Sequence, residues 1–97
     1  MQRYWLSKRA QMDLEDIWEY TVKEWSVSQA EKYLDGLLSS FAALADNRMK
    51  GKPVEHIRRG YSKYLFSKHY IFFRTSEDGF IEIIRVLHLS MDIDSHV

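Results

Sequence analysis

Ninety-seven residues make room for one small domain, 1–97, and no second. Hydrophobic residues reach 45% and aromatic residues 14%, enough for a core, and fourteen basic residues balance fourteen acidic ones, so bulk charge names no partner. The lack of cysteine excludes disulfides and thiolate chemistry, no apolar run approaches the roughly 20 residues a membrane helix needs, and no apolar signal segment opens the chain, so a cytoplasmic protein is expected.

Residues 3–6 read as a short strand. Ser7 then offers an N-cap oxygen to the free N–H groups of a helix. Ala10, Leu14, Ile17 and Thr21 recur at three and four, one helical face, and Trp18 and Trp25 widen it. This helix should stop near Glu24 or Trp25. Ser28 with Glu31 fits a capping box for a second helix, which carries Ala30, Tyr33, Leu34, Leu37, Leu38, Phe41, Leu44 and Ala45 on a broad apolar face. The link is so short that the two helices must form an antiparallel hairpin, and the hairpin needs a sheet beneath it.

Residues 47–53, with Gly51 and the only proline, read as loop. Two β-prone runs follow, 64–66 and 70–73, with a turn near Ser67 and Lys68. Asp78-Gly79 is a strong hairpin turn. Residues 80–87 form the third long strand, apolar enough to be covered on both sides. The resulting order is β-α-α-β-β-β: an α+β fold with an antiparallel meander and the N-terminal strand at its side. Leu14, Ile17, Leu37, Phe41, Phe73, Ile83 and Val86 are the expected core.

Charge is segregated along the chain. Between 48 and 74 there are eight basic residues (Arg48, Lys50, Lys52, Arg58, Arg59, Lys63, Lys68, Arg74) against one acid, Glu55. Between 13 and 24 five acids face Lys23 alone. Such a field can steer an anionic partner. No glycine-rich phosphate loop is present. His56, His69, His88 and His96 lack the spacing of a metal box, so neither metal nor cofactor is expected.

Cleavage of RNA would need a base, an acid and cations for the developing charge. His88 is the acid–base candidate. Arg85, Arg74, Arg58, Arg59 and Lys63 are candidate phosphate ligands, and Tyr61, Tyr64 or Tyr70 candidate stacking partners for bases. Strand alternation argues against a shared site: Arg85 falls with Ile81, Ile83 and Leu87, and His88 with Glu82, Ile84 and Val86, unless a bulge intervenes. Arg85 on an apolar face suggests a partly buried guanidinium holding a carboxylate, with Asp92 and Asp94 nearby. A binding module is the other reading. Tyr64, Phe66, Ile71, Phe73 and Phe80 exceed what two helices need and suggest a groove for a partner segment.

Several pieces, in order and spacing, carry a family resemblance. They are Leu6-Ser7-Lys8-Arg9-Ala10 with Asp13-Leu14 and Ile17; Tyr20-Thr21 with Trp25; and Gln29-Ala30 with Tyr33. Further on come Phe41 and Leu44-Ala45, Ile57-Arg58-Arg59-Gly60-Tyr61, Ile71-Phe72-Phe73-Arg74, and Ile83-Ile84-Arg85-Val86-Leu87-His88 before Met91-Asp92. Together they resemble the ParE branch of the RelE/ParE toxin superfamily.

The resemblance implies the toxic half of a bacterial toxin–antitoxin pair, with a role in plasmid or chromosome maintenance. It implies a toxin that poisons DNA gyrase so that cleaved DNA complexes persist. It also implies an antitoxin with a ribbon-helix-helix domain and a tail that wraps the toxin, the pair meeting operator DNA only through the antitoxin. No membrane or small-molecule ligand is expected. The implied partner-binding candidates are Arg58, Arg59, Tyr61, Tyr64, Phe66, Arg74, Arg85 and His88. The alternative is the ribosome-dependent RelE-like branch, which cuts messenger RNA; His88, Arg85 and Arg74 would then be catalytic. The chain lacks that branch's fuller set of lysines and a tyrosine near the end, and only His96 follows His88 as a further candidate. Ser62 stands where ParE proteins commonly have arginine, and Leu89-Ser90 stand where Gly-Arg or Gln-Arg is common.

Overall fold

The computed structural model describes residues 3–92 and 97. Strand β1 (Tyr4–Leu6) leads into helices α1 (Lys8–Glu24) and α2 (Val27–Ala45), followed by β2 (Lys52–Pro53), β3 (Tyr61–Phe66), β4 (His69–Thr75) and β5 (Ile81–His88). The sheet order is β1-β5-β4-β3-β2. Strands β2 to β5 pair antiparallel, and β1 lies parallel to β5, so the sheet is mixed.

Ser7 caps α1, its Oγ accepting the Ala10 N–H at 3.0 Å. The hairpin turn comes earlier than the capping box at Ser28 implies. Trp25 N–H turns back to the Thr21 carbonyl, and Ser26 caps α2 by accepting the Gln29 N–H. Ser26-x-x-Gln29 fits the same sequence signature as Ser28-x-x-Glu31; with α1 ending at Glu24 as expected, the turn needs only Trp25 and Ser26. Residues 52 and 53, expected in a loop, bridge to β3 instead. A proline on a two-residue edge strand costs no ladder bond and blunts the edge.

Between sheet and hairpin lie Ala10, Leu37, Phe41, Leu44, Ile71, Phe73, Ile81, Ile83 and Val86, all buried. Leu14 and Ile17, expected in the core, are half-buried at its margin, because the outer side of the hairpin faces away from the sheet. Tyr64 and Phe66 also pack on this core, so they serve the hairpin and do not line a groove opposite it. Phe66 lies so close over α2 that only a glycine fits beneath its ring at Gly36. The helix-free face has its own small core of Val54, Phe72 and Leu87, where the 54–60 segment folds back over the sheet.

One irregularity re-aims β5. Phe72 pairs with Arg85, but Phe73 pairs with Ile83, so Ile84 is the extra residue of a β-bulge. Alternation therefore resets. Ile81, Ile83, Val86 and His88 fall on the helix side, and Glu82, Arg85 and Leu87 on the other. This corrects the grouping of Arg85 with Ile81 and Ile83. It also explains how Ile83 and Val86, of opposite parity, share one core.

Candidate partner-binding surfaces

Strand β1 covers only the first part of β5, up to Ile83. Beyond it, side chains from the start of α1 take over the strand edge. Ser7 N–H donates to the Ile83 carbonyl, and Ser7 Oγ–H to the Ile84 carbonyl at 2.7 Å. The Asp13 carboxylate accepts the Val86 N–H at 2.9 Å, and takes Arg85 in a fork, Nε at 2.8 Å and Nη2 at 2.9 Å. Both side chains are nearly buried, at 12% and 10% exposure. The Asp13 hydrogen bond raises the Arg85 pKa further above its ordinary value. In the sequence Asp13 stands among five acids and within the family-resembling Asp13-Leu14, with nothing to tie it to Arg85. The sequence points to Asp92 and Asp94 for Arg85 and not to Asp13; Asp94 lies outside the described residues, as does His96.

Arg74 extends from the helix-free face and donates Nε–H to Glu82 at 2.9 Å, an exposed pair. Arg74, Glu82, Ile84 and Arg85 share a cleft of about 330 Å³ with Tyr61, Lys8 and Arg9. Arg58 and Arg59 stand exposed in the 54–60 segment. Lys63 Nζ sits 4.4 Å from the centre of the Tyr70 ring.

His88 is elsewhere. It lines a second cleft, of about 430 Å³, with Tyr20, Trp25, Tyr33, Lys68 and His69. Its Nδ1 accepts the Ser90 N–H at 3.1 Å and lies 2.7 Å from Ser90 Oγ, so the serine at this departure from the family pattern holds the ring. His69, not singled out by the sequence, packs edge-on against His88. The Tyr33 hydroxyl accepts the Lys68 N–H and lies 2.6 Å from His69 Nδ1. The same hydroxyl also reaches the Phe66 carbonyl at 3.5 Å. Burial lowers His69 to about 4, with the nearby His88 adding to the shift and Asp13 opposing it. The three candidates for RNA chemistry are thus divided: Arg74 and Arg85 border one cleft, each on a carboxylate, and His88 borders another.

A third surface lies on the outer side of the hairpin. Leu14, Trp18, Leu34 and Leu38 line an apolar cleft of about 350 Å³ between α1 and α2, rimmed by Glu15 and Glu19. Met12, Tyr20 and Val27 are exposed on the same two helices, and Trp25 in the turn between them. These apolar side chains, more than Tyr64 or Phe66, give the hairpin an uncovered apolar face, while Trp5, Leu65, Leu89 and Met91 are exposed elsewhere.

The model of the ParE toxin of the type II toxin–antitoxin system, parDE, matches residues 4–93. The chain belongs to the ParE toxin family. It is 41% identical over 95 residues to Toxin ParE1 of Mycobacterium tuberculosis, covering 98% of this chain and 97% of that one. Toxin ParE1 of Caulobacter vibrioides is 39% identical over 97 residues, with 100% and 99% coverage. A solved chain of the chromosomal ParDE toxin–antitoxin system from P. aeruginosa shares the fold, with a TM-score of 0.77 over 93% of this chain and 98% of that chain, at 20% identity. This ParE protein is therefore the toxin of a type II toxin–antitoxin pair, and its antitoxin is its partner. No helix among the described residues is long and apolar enough to cross a membrane.

Proposed function

We propose that this ParE toxin acts in the cytoplasm on DNA gyrase, prolonging its cleaved DNA complex, and does not itself cut RNA. The observation that carries this choice is the separation of His88 from Arg74 and Arg85, with both arginines already engaged by carboxylates. A phosphoryl-transfer site needs its acid, base and cations around one phosphate within hydrogen-bond reach. The whole of 1–97 acts as one toxin domain.

The antitoxin, on this reading, has a ribbon-helix-helix DNA-binding domain and a tail that folds over the hairpin. The cleft of Leu14, Trp18, Leu34 and Leu38 supports that role for the hairpin. Its acidic rim favours a tail with basic residues beside its apolar ones. Such a tail pays its ordering entropy on binding, so circular dichroism should gain structure on mixing.

The deciding experiment uses purified gyrase, supercoiled DNA and folded toxin. Linear DNA trapped on denaturing the enzyme should rise with toxin and fall when antitoxin is added. Unchanged supercoiling at saturating toxin would remove gyrase as the target.

A further inference from the structure

We propose that the helix-free face of the sheet is a docking surface for the phosphate backbone of duplex DNA; this rests on the gyrase reading and gives the toxin its own hold on the DNA in that complex. The argument starts from charges placed against local rules. The register sets Lys52 directly opposite Lys63. Like charges facing each other across two strands destabilise a sheet. Lys8 and Arg9 occupy the first turn of α1, which has no acid, at the positive end of the helix dipole. Arg58 and Arg59 stand exposed in the segment folded over the same face. Glu55, the one acid in that stretch of sequence, is turned onto the Gly60 N–H. Among the described residues no carboxylate pairs with any of these six cations.

Each placement costs a little in the free protein, and a row of phosphates would relieve them together. Local conflicts that packing does not explain mark surfaces kept for binding. The hairpin cleft on the other side of the sheet is rimmed by Glu15 and Glu19, so the field there would turn that cleft away from a polyanion.

The aromatic residues favour a duplex over a single strand. Stacking of bases needs open ring faces. Lys63 already covers Tyr70, Tyr61 is packed against the small core of this face, and Tyr64 lies under the helices. Trp5, half-exposed beside Phe80 on the β1 edge of this face, offers one ring and no run of stacking faces, so the surface as a whole reads backbone. The largest dimension of the fold, 39 Å, limits the footprint to roughly 11 base pairs at 3.4 Å per step.

The test is fluorescence polarisation of full-length toxin with a labelled duplex of about 20 base pairs, titrated between about 50 and 200 mM salt. With about five phosphate contacts the log–log slope should be near −4 to −5, a loss of about 10²–10³ in affinity over that range. Lys52→Gln, Arg58→Gln, Arg59→Gln and Lys63→Gln should each flatten the slope by about one, with the thermal melt unchanged. No duplex binding at the lowest salt, a slope indifferent to these changes, or tighter binding to single-stranded RNA than to duplex at every salt would overturn the proposal. Capture of purified gyrase without DNA separates the two readings. Gyrase binding with no DNA affinity removes this surface and leaves the target; DNA affinity with no gyrase binding does the reverse.

Discussion

His69 should make the stability of this toxin depend on pH between about 6.5 and 4. Its folded pKa lies near 4, below the 6.5 of an unperturbed histidine. In that window the unfolded chain binds a proton at this site and the folded chain does not. Stability therefore rises with pH through the window, is fully present above 6.5, and is lost as pH falls toward 4. Each unit of difference is worth about 1.4 kcal/mol, so the gap would give roughly 3 kcal/mol in a fully dry site. The ring is only half-buried, and solvent screening reduces this to about 1–2 kcal/mol.

Urea titrations at pH 4.5 and pH 7 should show that loss in the wild type beyond any shared with His69→Gln, which removes the titrating group and keeps other acid-sensitive carboxylates in place. Direct reading of the ring by NMR should place its titration well below 6. The cause can be separated too. Because burial dominates the shift, Tyr33→Phe should leave most of it, whereas Tyr33→Ala opens the cleft and should bring the titration back toward 6.5. A wild-type ring that titrates at 6.5 or higher, or parallel stability curves for wild type and His69→Gln, would refute the reasoning.

Asp13→Ala should cost about 3–5 kcal/mol in denaturant titration, since it strips a nearly buried guanidinium of a carboxylate and leaves the Val86 N–H without its acceptor. The double change Asp13→Leu with Arg85→Met should cost less than Asp13→Ala alone; a larger loss would show the pair contributes net stability. Gly36→Ala should destabilise although alanine is favoured in a helix by about 1 kcal/mol, because the new Cβ meets the Phe66 ring, and Phe66→Leu should largely suppress the effect in thermal melts. Translating ribosomes given full-length toxin should keep a reporter message intact; cleavage abolished by His88→Ala, expected at about 10²–10⁴-fold for a lost acid or base, would reinstate the ribonuclease reading.

Much of this architecture was legible because it is local. The recurrence of Ala10, Leu14, Ile17 and Thr21 gives α1, the Asp78-Gly79 turn gives the last hairpin, with Gly79 at φ +87°, and the apolar run of β5 gives its inner place in the sheet. Leu37, Phe41, Phe73, Ile83 and Val86 are buried as their pattern predicts. What failed was the step from periodicity to facing. A two-residue period carried along β5 puts Arg85 with Ile81, and nothing in Ile83-Ile84-Arg85, neither glycine nor proline, announces the extra residue. The bulge is fixed by the pairing of β4 with β5, which no window on one strand contains.

Asp13 shows the same limit at longer range. It lies 72 residues from Arg85 in the chain, and its surroundings in the sequence are those of an exposed acidic helix face. Its role comes from a vacancy elsewhere: β1 ends at Leu6, the rest of β5 would be a bare edge, and bare edges invite pairing with other chains. A longer β1 would have filled the gap, but Ser7 turns the chain into α1 instead, and this cap and the second turn of the helix supply a hydroxyl and a carboxylate where backbone groups would have been. The bulge carries Arg85 to the face opposite Ile83 and Val86, and its guanidinium meets the same carboxylate at the strand edge. Helix start, bulge and buried acid meet at this one edge: the first is local and readable at Ser7, whereas the other two depend on partners far along the chain.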